Sequence, residues 1–221
     1  MAVGKFFYGK GLSRGRPGSR GLFLIWTGIP SRHERVGRED FLFSWSTIAE
    51  RNGRTTHPQM RYWRIAGMPE PYPRPQWKVK PHEGSLPIDE TRVFIESLSQ
   101  HTSTPGRCYF CIWEGWGDIN LRLFGDARLR FKHRNYLVFT GPIDAALAFG
   151  PPNSSTFRSP NIWWPEDRAW CVATEIDLDS TYIGGTDECV QAFLDSPDLE
   201  VLPADIEDRI DPAGDPGDLF K

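Results

Sequence analysis

Apolar residues first recur at helical spacing over residues 39–51, where Phe41, Leu42, Trp45, Ile48 and Ala49 share one face. Asn52-Gly53 supplies a stop, because glycine closes a helix in the left-handed conformation without a Cβ clash. Residues 60–65 read as a short strand. Six prolines between positions 69 and 87 favour extended, polyproline-like chain, since proline lacks the amide that helices and central strands use. A second helix is predicted over 87–99, with Pro87 in its first turn and Val93, Phe94 and Leu98 facing inward.

Beyond residue 100 the pattern shortens to strand length. Residues 107–114 are aromatic and β-branched, bounded by Pro105-Gly106 and Gly115. Shorter strands are predicted at 121–124, 127–131 and 136–140. Pro142 suits the first turn of a helix over 142–149, with Asp144 at its positive end. Residues 150–161 read as a loop, and 170–176 as a buried strand. Thr186 caps a helix over 187–194, and 199–202 form a last strand. Residues 22–26 read as an ordinary strand, because their apolar run is too short for a signal peptide and no small-x-small cleavage site follows.

Strands and helices mixed without strict βαβ alternation indicate an α+β fold. The expected architecture is one domain over 21–205, with a mixed, mostly antiparallel sheet and a few packed helices. A basic, disordered N-terminal arm (1–20) and an acidic, disordered tail (206–221) flank it, both dispensable for folding because they bury too little apolar surface.

Composition adds bounds. The 221 residues are 39% hydrophobic and 13% aromatic, enough for a packed core. No run approaches the roughly 18 apolar residues of a membrane span, so no membrane partner is expected. Residues 162–221 hold 16 acids and three bases, so they carry about −13 while the preceding part carries about +10. The two parts attract and solubilise each other without requiring nucleic acid. Three of the four cysteines lie in apolar or amphipathic stretches, and with no export signal reduced thiols in the cytoplasm are expected.

Several motifs look chemical. Gly11-Leu12-Ser13-Arg14-Gly15 matches the nucleophile elbow of hydrolases, but that elbow needs several strands before it. Arg14-Gly15-Arg16-Pro17 resembles the AT-hook, in which two arginines flanking a thin glycine enter the narrow A·T minor groove; Arg14 and Arg16 are thus the candidates for nucleic-acid contact, a partner class the chain otherwise disfavours. Cys108 and Cys111 have the spacing of metal pairs. On a strand they point to opposite faces, and no histidine lies near in sequence, so core packing is expected and no metal. Five scattered histidines form no ligand pattern. Asp177-Leu178-Asp179-Ser180-Thr181 resembles the opening motif of haloacid-dehalogenase-like phosphatases. That family needs a hydroxyl residue, a lysine and an acidic pair downstream within a fold that the roughly forty remaining residues, whose one lysine is Lys221, are too few to build; a solvated acidic turn is expected there.

Two aromatic segments remain, Trp113-Glu114-Gly115-Trp116-Gly117 and Trp163-Trp164-Pro165-Glu166-Asp167-Arg168-Ala169-Trp170, holding five of the nine tryptophans. Gly115, Gly117 and Pro165 are expected to keep both out of regular structure, as loops at the sheet's edge. Trp170 should be core, and Trp113 faces either way. Trp116, Trp163 and Trp164 form the expected partly exposed wall, with Glu114, Asp167 and Arg168 as its polar rim. The resulting expectation is a non-catalytic protein that binds a protein, peptide or small ligand without a cofactor. One alternative is a hydrolase pairing Glu114 with Glu166 or Asp167 as acid and base. Another is association with DNA through Arg14 and Arg16. Around the block from Trp163 to Asp177, residues 135–203 resemble a family of uncharacterised bacterial proteins, a resemblance that implies no activity and no site residues.

Overall fold

The computed structural model describes residues 44–67, 81–117, 125–131, 133–149, 157–205 and 207–209, together with the backbone of 23–27. Its centre is an eight-stranded sheet. In chain order the strands are β1 (Phe23–Thr27), β2 (Cys108–Trp113), β3 (Arg128–Phe131), β4 (Arg134–Gly141), β5 (Ile162–Pro165), β6 (Trp170–Thr174), β7 (Ser180–Gly185) and β8 (Val201–Ala204). Across the sheet they run β3-β4-β2-β5-β6-β7-β1-β8, and every described pairing is antiparallel. The helices are α1 (Trp45–Arg51), the single-turn α2 (Tyr62–Ile65), α3 (Ile88–Ser99), a 3₁₀ turn at Ile143–Leu147, and α4 (Asp187–Leu194). The fold is α+β, as the patterning indicates.

Strand alternation sorts the core into two faces. Phe110, Trp163, Trp170, Val172 and Ile183 point to the first, where Phe94 and Leu98 of α3, Ile143 of the 3₁₀ turn and Val190 and Phe193 of α4 cover them. Cys111, Tyr136, Ile162, Cys171, Ala173 and Tyr182 point to the second. Near β8 on that face, α1 and α2 build a small core from Trp45, Ile48, Met60, Tyr62 and Ile65, against which Leu202 packs. Ser44 caps α1 by accepting the Thr47 amide, and the Glu200 carboxylate accepts the Trp45 and Ser46 amides at 2.7 Å each. A carboxylate is favoured there because the first amides of a helix lack intrahelical partners.

Helix ends are where the sequence speaks most directly. Asn52 ends α1 and Gly53 follows at φ +65°. Thr186 caps α4 through the Cys189 amide, and Pro87 occupies the cap position of α3. Four expectations need correction. Residues 60–65 turn as α2 instead of extending, because Tyr62 and Ile65 both bury against α1, which a strand's alternation would not allow. Ser180 and Thr181, expected in the solvated acidic turn, are instead buried at the start of β7, which lies between β1 and β6, and only Asp177 of that turn is exposed. The Pro142 helix is only a 3₁₀ turn. Residues 162–165 form β5, since Pro165 ends the strand where it needs no further ladder amide. The expected strand at 121–124 and the arm at 1–20 lie outside the described residues. So does the tail from 210; before it, Asp208 accepts Gln59 Nε2 and the Asp205 amide.

Candidate functional site

The antiparallel pairing of β2 with β5 decides which aromatic residues meet. Cys108 lies opposite Pro165 and Cys111 opposite Ile162. The C-terminal end of β2 therefore sits beside Asn161, and its N-terminal end beside the 166–168 turn. At the second place the Glu166 amide donates to the Arg107 carbonyl. Seven residues of extended chain, roughly 20 Å, separate that level from Glu114.

At the Asn161 end, Trp113 and Trp116 meet edge to face, with ring centroids 5.4 Å apart at 78°. Both are half-buried. Gly115 makes the approach feasible, because a Cβ there would fall 2.2 Å from the Trp113 ring. Asn161, only 1% exposed, anchors the pair. Its Oδ1 accepts the Trp113 amide at 2.8 Å and Trp116 Nε1 at 3.4 Å, while its Nδ2 donates to the Gly84 and Thr174 carbonyls. Gly84, at φ +71°, is itself pressed to the Ile176 backbone, where a Cβ would lie 2.6 Å from the carbonyl oxygen. One buried amide thus joins four chain segments.

Charged groups complete this end. The Arg158 guanidinium lies 3.9 Å over the Trp116 ring, and that of Arg134 lies 5.6 Å from the Trp113 ring centre. Arg134 also pairs with Asp177 at 2.5 Å and Glu175 at 3.2 Å. Burial works against its charge, but the two carboxylates outweigh that and raise its pKa further. Glu114 pairs with Arg128 at 3.5 Å. Beneath them burial pushes the Tyr136 hydroxyl well above the usual tyrosine range, and the charge of Glu175 adds to it. It is a neutral wall.

The opposite end is a structural clasp. Asp167 accepts from the Thr102 hydroxyl at 2.9 Å, the Ser103 amide at 2.7 Å, the Ser103 hydroxyl at 2.8 Å and the Ala169 amide at 3.1 Å. Burial alone would raise its pKa, but the donors from Ser103, Ala169 and Thr102 hold it below the usual carboxylate value. Glu166 pairs with Arg107 at 2.8 Å. Arg168 adopts φ 56°, a left-handed conformation that lets the turn reverse between β5 and β6.

No family model, no curated protein and no solved structure matches this chain.

The chemistry of its residues alone therefore carries the functional reading, and it revises the expected wall. Trp163 is not part of any wall: it is 0% exposed, stacked near Phe110 and edge-on to Trp170. Its place on the first face of β5 puts it under the helices. Trp164, on the other face, is half-buried and stacks on Tyr109 at 5.6 Å and 12°. Trp116 and Glu114 occupy one end of the sheet, Asp167 and Arg168 the other. Glu114 is likewise far beyond the roughly 5–9.5 Å that separates the carboxylates of glycosidases from either Glu166 or Asp167. Trp170 is core, as expected, and its Nε1 donates to the Leu98 carbonyl at 3.0 Å.

The cysteines divide as strand alternation requires, with Cys108 and Cys189 on the first face and Cys111 and Cys171 on the second. All four are free and buried. Burial pushes Cys108 up to about 11, with the Asp167 charge adding to it, and Cys171 and Cys189 up to about 12. Such thiols carry little thiolate at neutral pH and make poor nucleophiles. Among the described residues no group of three or more His, Cys, Asp and Glu side chains converges on a metal position. No described helix is long and apolar enough to cross a membrane. Asp177 and Asp179 of the phosphatase-like motif diverge, the first to Arg134 and the second toward Arg61. Arg14 and Arg16 lie outside the described residues. Asn161, Arg134 and Arg158 carry no motif; the pairing of β2 with β5 brings Asn161 to the tryptophans, and that of β2 with β4, which sets Trp113 opposite Tyr136, brings Arg134.

Proposed function

We propose that this protein is a non-catalytic binding protein whose ligand site is the Trp113–Trp116 end of the sheet. The observation that carries the reading is the half-buried, edge-to-face indole pair, fixed from below by Asn161 and flanked by Arg158 and Arg134. Tryptophan and arginine dominate binding hot spots because they offer large contact areas and directed donors. Here the rings are already oriented, so little side-chain entropy is lost when a ligand covers them. Glu114 with Arg128, and Asp177 with Arg134, form a rim of both charge signs. A peptide, a protein surface or a small flat ligand fits this composition, and no cofactor is needed. Four free, buried cysteines accord with a reducing, cytoplasmic setting.

The test is calorimetric titration with a proline-rich peptide, an acidic peptide, an oligosaccharide and a mononucleotide. At least one probe should bind the wild type, lose tenfold or more in affinity with Trp116→Ala, and be unaffected by Asp167→Asn. Binding by none, or binding indifferent to Trp116, contradicts the proposal.

A further inference from the structure

The second face of the sheet continues beyond the Trp113–Trp116 end. Strand alternation puts Tyr109, Cys111 and Trp113 of β2 on that face, and the register sets Trp164 of β5 beside Tyr109 and Val138 of β4 beside Cys111. Tyr109 and Trp164 stack at 5.6 Å and 12°, both half-buried. Two aromatic pairs thus stand four residues apart along β2, about 13 Å at the rise of a strand. Cys111 and Ile162, 0% and 7% exposed, form the floor between them, and half-buried Val138 flanks it. The apolar cluster beneath this strip takes no side chain from a described helix, and α1 and α2 gather their own core nearer β8.

The polar atoms along the strip are mostly donors. Trp116 Nε1 is engaged by Asn161. Trp113 Nε1, Trp164 Nε1 and the Tyr109 hydroxyl have no hydrogen-bond partner among the described residues, and none of the three is sealed from solvent. The backbone of β2 is engaged by β4 on one side and β5 on the other. The flanking carboxylates Glu114, Glu166 and Asp177 are paired with Arg128, Arg107 and Arg134. A ligand suited to this lining supplies apolar area and carbonyl acceptors, and brings few donors of its own.

We propose that the strip from Trp113–Trp116 to Tyr109–Trp164 binds a proline-rich segment of a partner protein in the polyproline II conformation, an inference that rests on the ligand site proposed above and names its ligand class. Polyproline II chain has no internal hydrogen bonds, so its carbonyls are free to accept from the ring donors. Proline has no amide N–H, so laying it against the rings leaves no donor unsatisfied. At about 3.1 Å per residue, four residues of such a chain cover about 12 Å, close to the separation of the two aromatic pairs. The ligand is already extended, so docking removes little conformational freedom. An oligosaccharide brings hydroxyl donors, and a peptide without proline brings an N–H at every residue; the strip has few unengaged acceptors for either.

The test titrates the full chain with decaproline, tetraproline, a Gly-Ser decapeptide and cellopentaose, read by calorimetry and by the indole NMR signals. Decaproline should bind and shift the Trp164 signal as well as those of Trp113 and Trp116. Tetraproline, too short to reach both pairs, should bind about tenfold more weakly, and the Gly-Ser peptide should not bind. Trp164→Ala should weaken decaproline about tenfold, and Trp164→Phe, which keeps a ring and removes the donor, about threefold. Decaproline binding that leaves the Trp164 signal in place and ignores both variants would overturn the extended strip. Binding of cellopentaose or the Gly-Ser peptide at Trp116, without decaproline binding, would overturn the ligand class while leaving the Trp113–Trp116 site standing. Binding of none of these probes, nor of the acidic peptide and mononucleotide above, would overturn both. Should Trp164→Ala not fold, Trp164→Phe and the wild-type shifts decide.

Discussion

Trp163 and Trp116 come from segments of similar composition, both mixing indoles with carboxylates, yet they lie in contrasting surroundings. Trp163 stands in the middle of the sheet's first face, enclosed by Phe110, Trp170 and the helices above. Trp116 stands past the end of β2, half-buried, with a guanidinium on one face and Trp113 at its edge. What separates them is position along the strands, not residue type. A strand interior exposes each side chain to one covered face, whereas a strand end leaves rings partly uncovered and oriented by whatever polar group the next segment supplies. In this chain that group is Asn161.

The comparison breaks most visibly through stability. Trp163→Ala and Trp170→Ala should each cost about 3–5 kcal/mol in urea unfolding, the usual range for truncating an enclosed tryptophan. A cost near zero would place them outside the core. Gly115→Ala should cost less, about 1–3 kcal/mol, because the Trp113 ring must move to admit a methyl group; the loss should reappear as weaker probe binding, since the ring pair is displaced. Trp116→Ala should cost only about 1 kcal/mol, its ring keeping solvent contact while contributing a weak hydrogen bond and a cation–π contact. If it unfolds the protein as Trp163→Ala does, the distinction between the two ends disappears.

Much of the fold was readable from the sequence, and the readable part has a common cause. Caps and breakers act within a few residues, so Asn52-Gly53, Pro87 and Thr186 announce α1, α3 and α4 correctly. The turn at 62–65 has no such local marker, because its apolar residues answer to the packing against α1. The site was less legible for the same reason. Trp116 was identified by composition, but its partners Asn161 and Arg158 lie more than forty residues away, joined by a strand pairing that no local pattern encodes. That pairing also sent Asp167 and Arg168 to the far end, where Thr102 and Ser103 occupy the Asp167 carboxylate.

The smallest expected effect sharpens the contrast at that far end. The donors around Asp167 hold its pKa down, so its contribution to stability is present above the pKa of the unfolded chain and lost as pH falls through the folded value. Thermal melts below about pH 4 should therefore show a shallower acid loss in Asp167→Asn than in the wild type. An unchanged acid slope would mean that the clasp contributes nothing beyond geometry.

The most direct measurement of the central claim is a nitrogen–proton NMR titration of the nine tryptophan indole groups with the four probes. The account predicts that whichever probe binds will shift the Trp113 and Trp116 signals first and most, leaving Trp163 and Trp170 in place. Shifts concentrated at Trp163 and Trp170, or no shift with any probe, would contradict it.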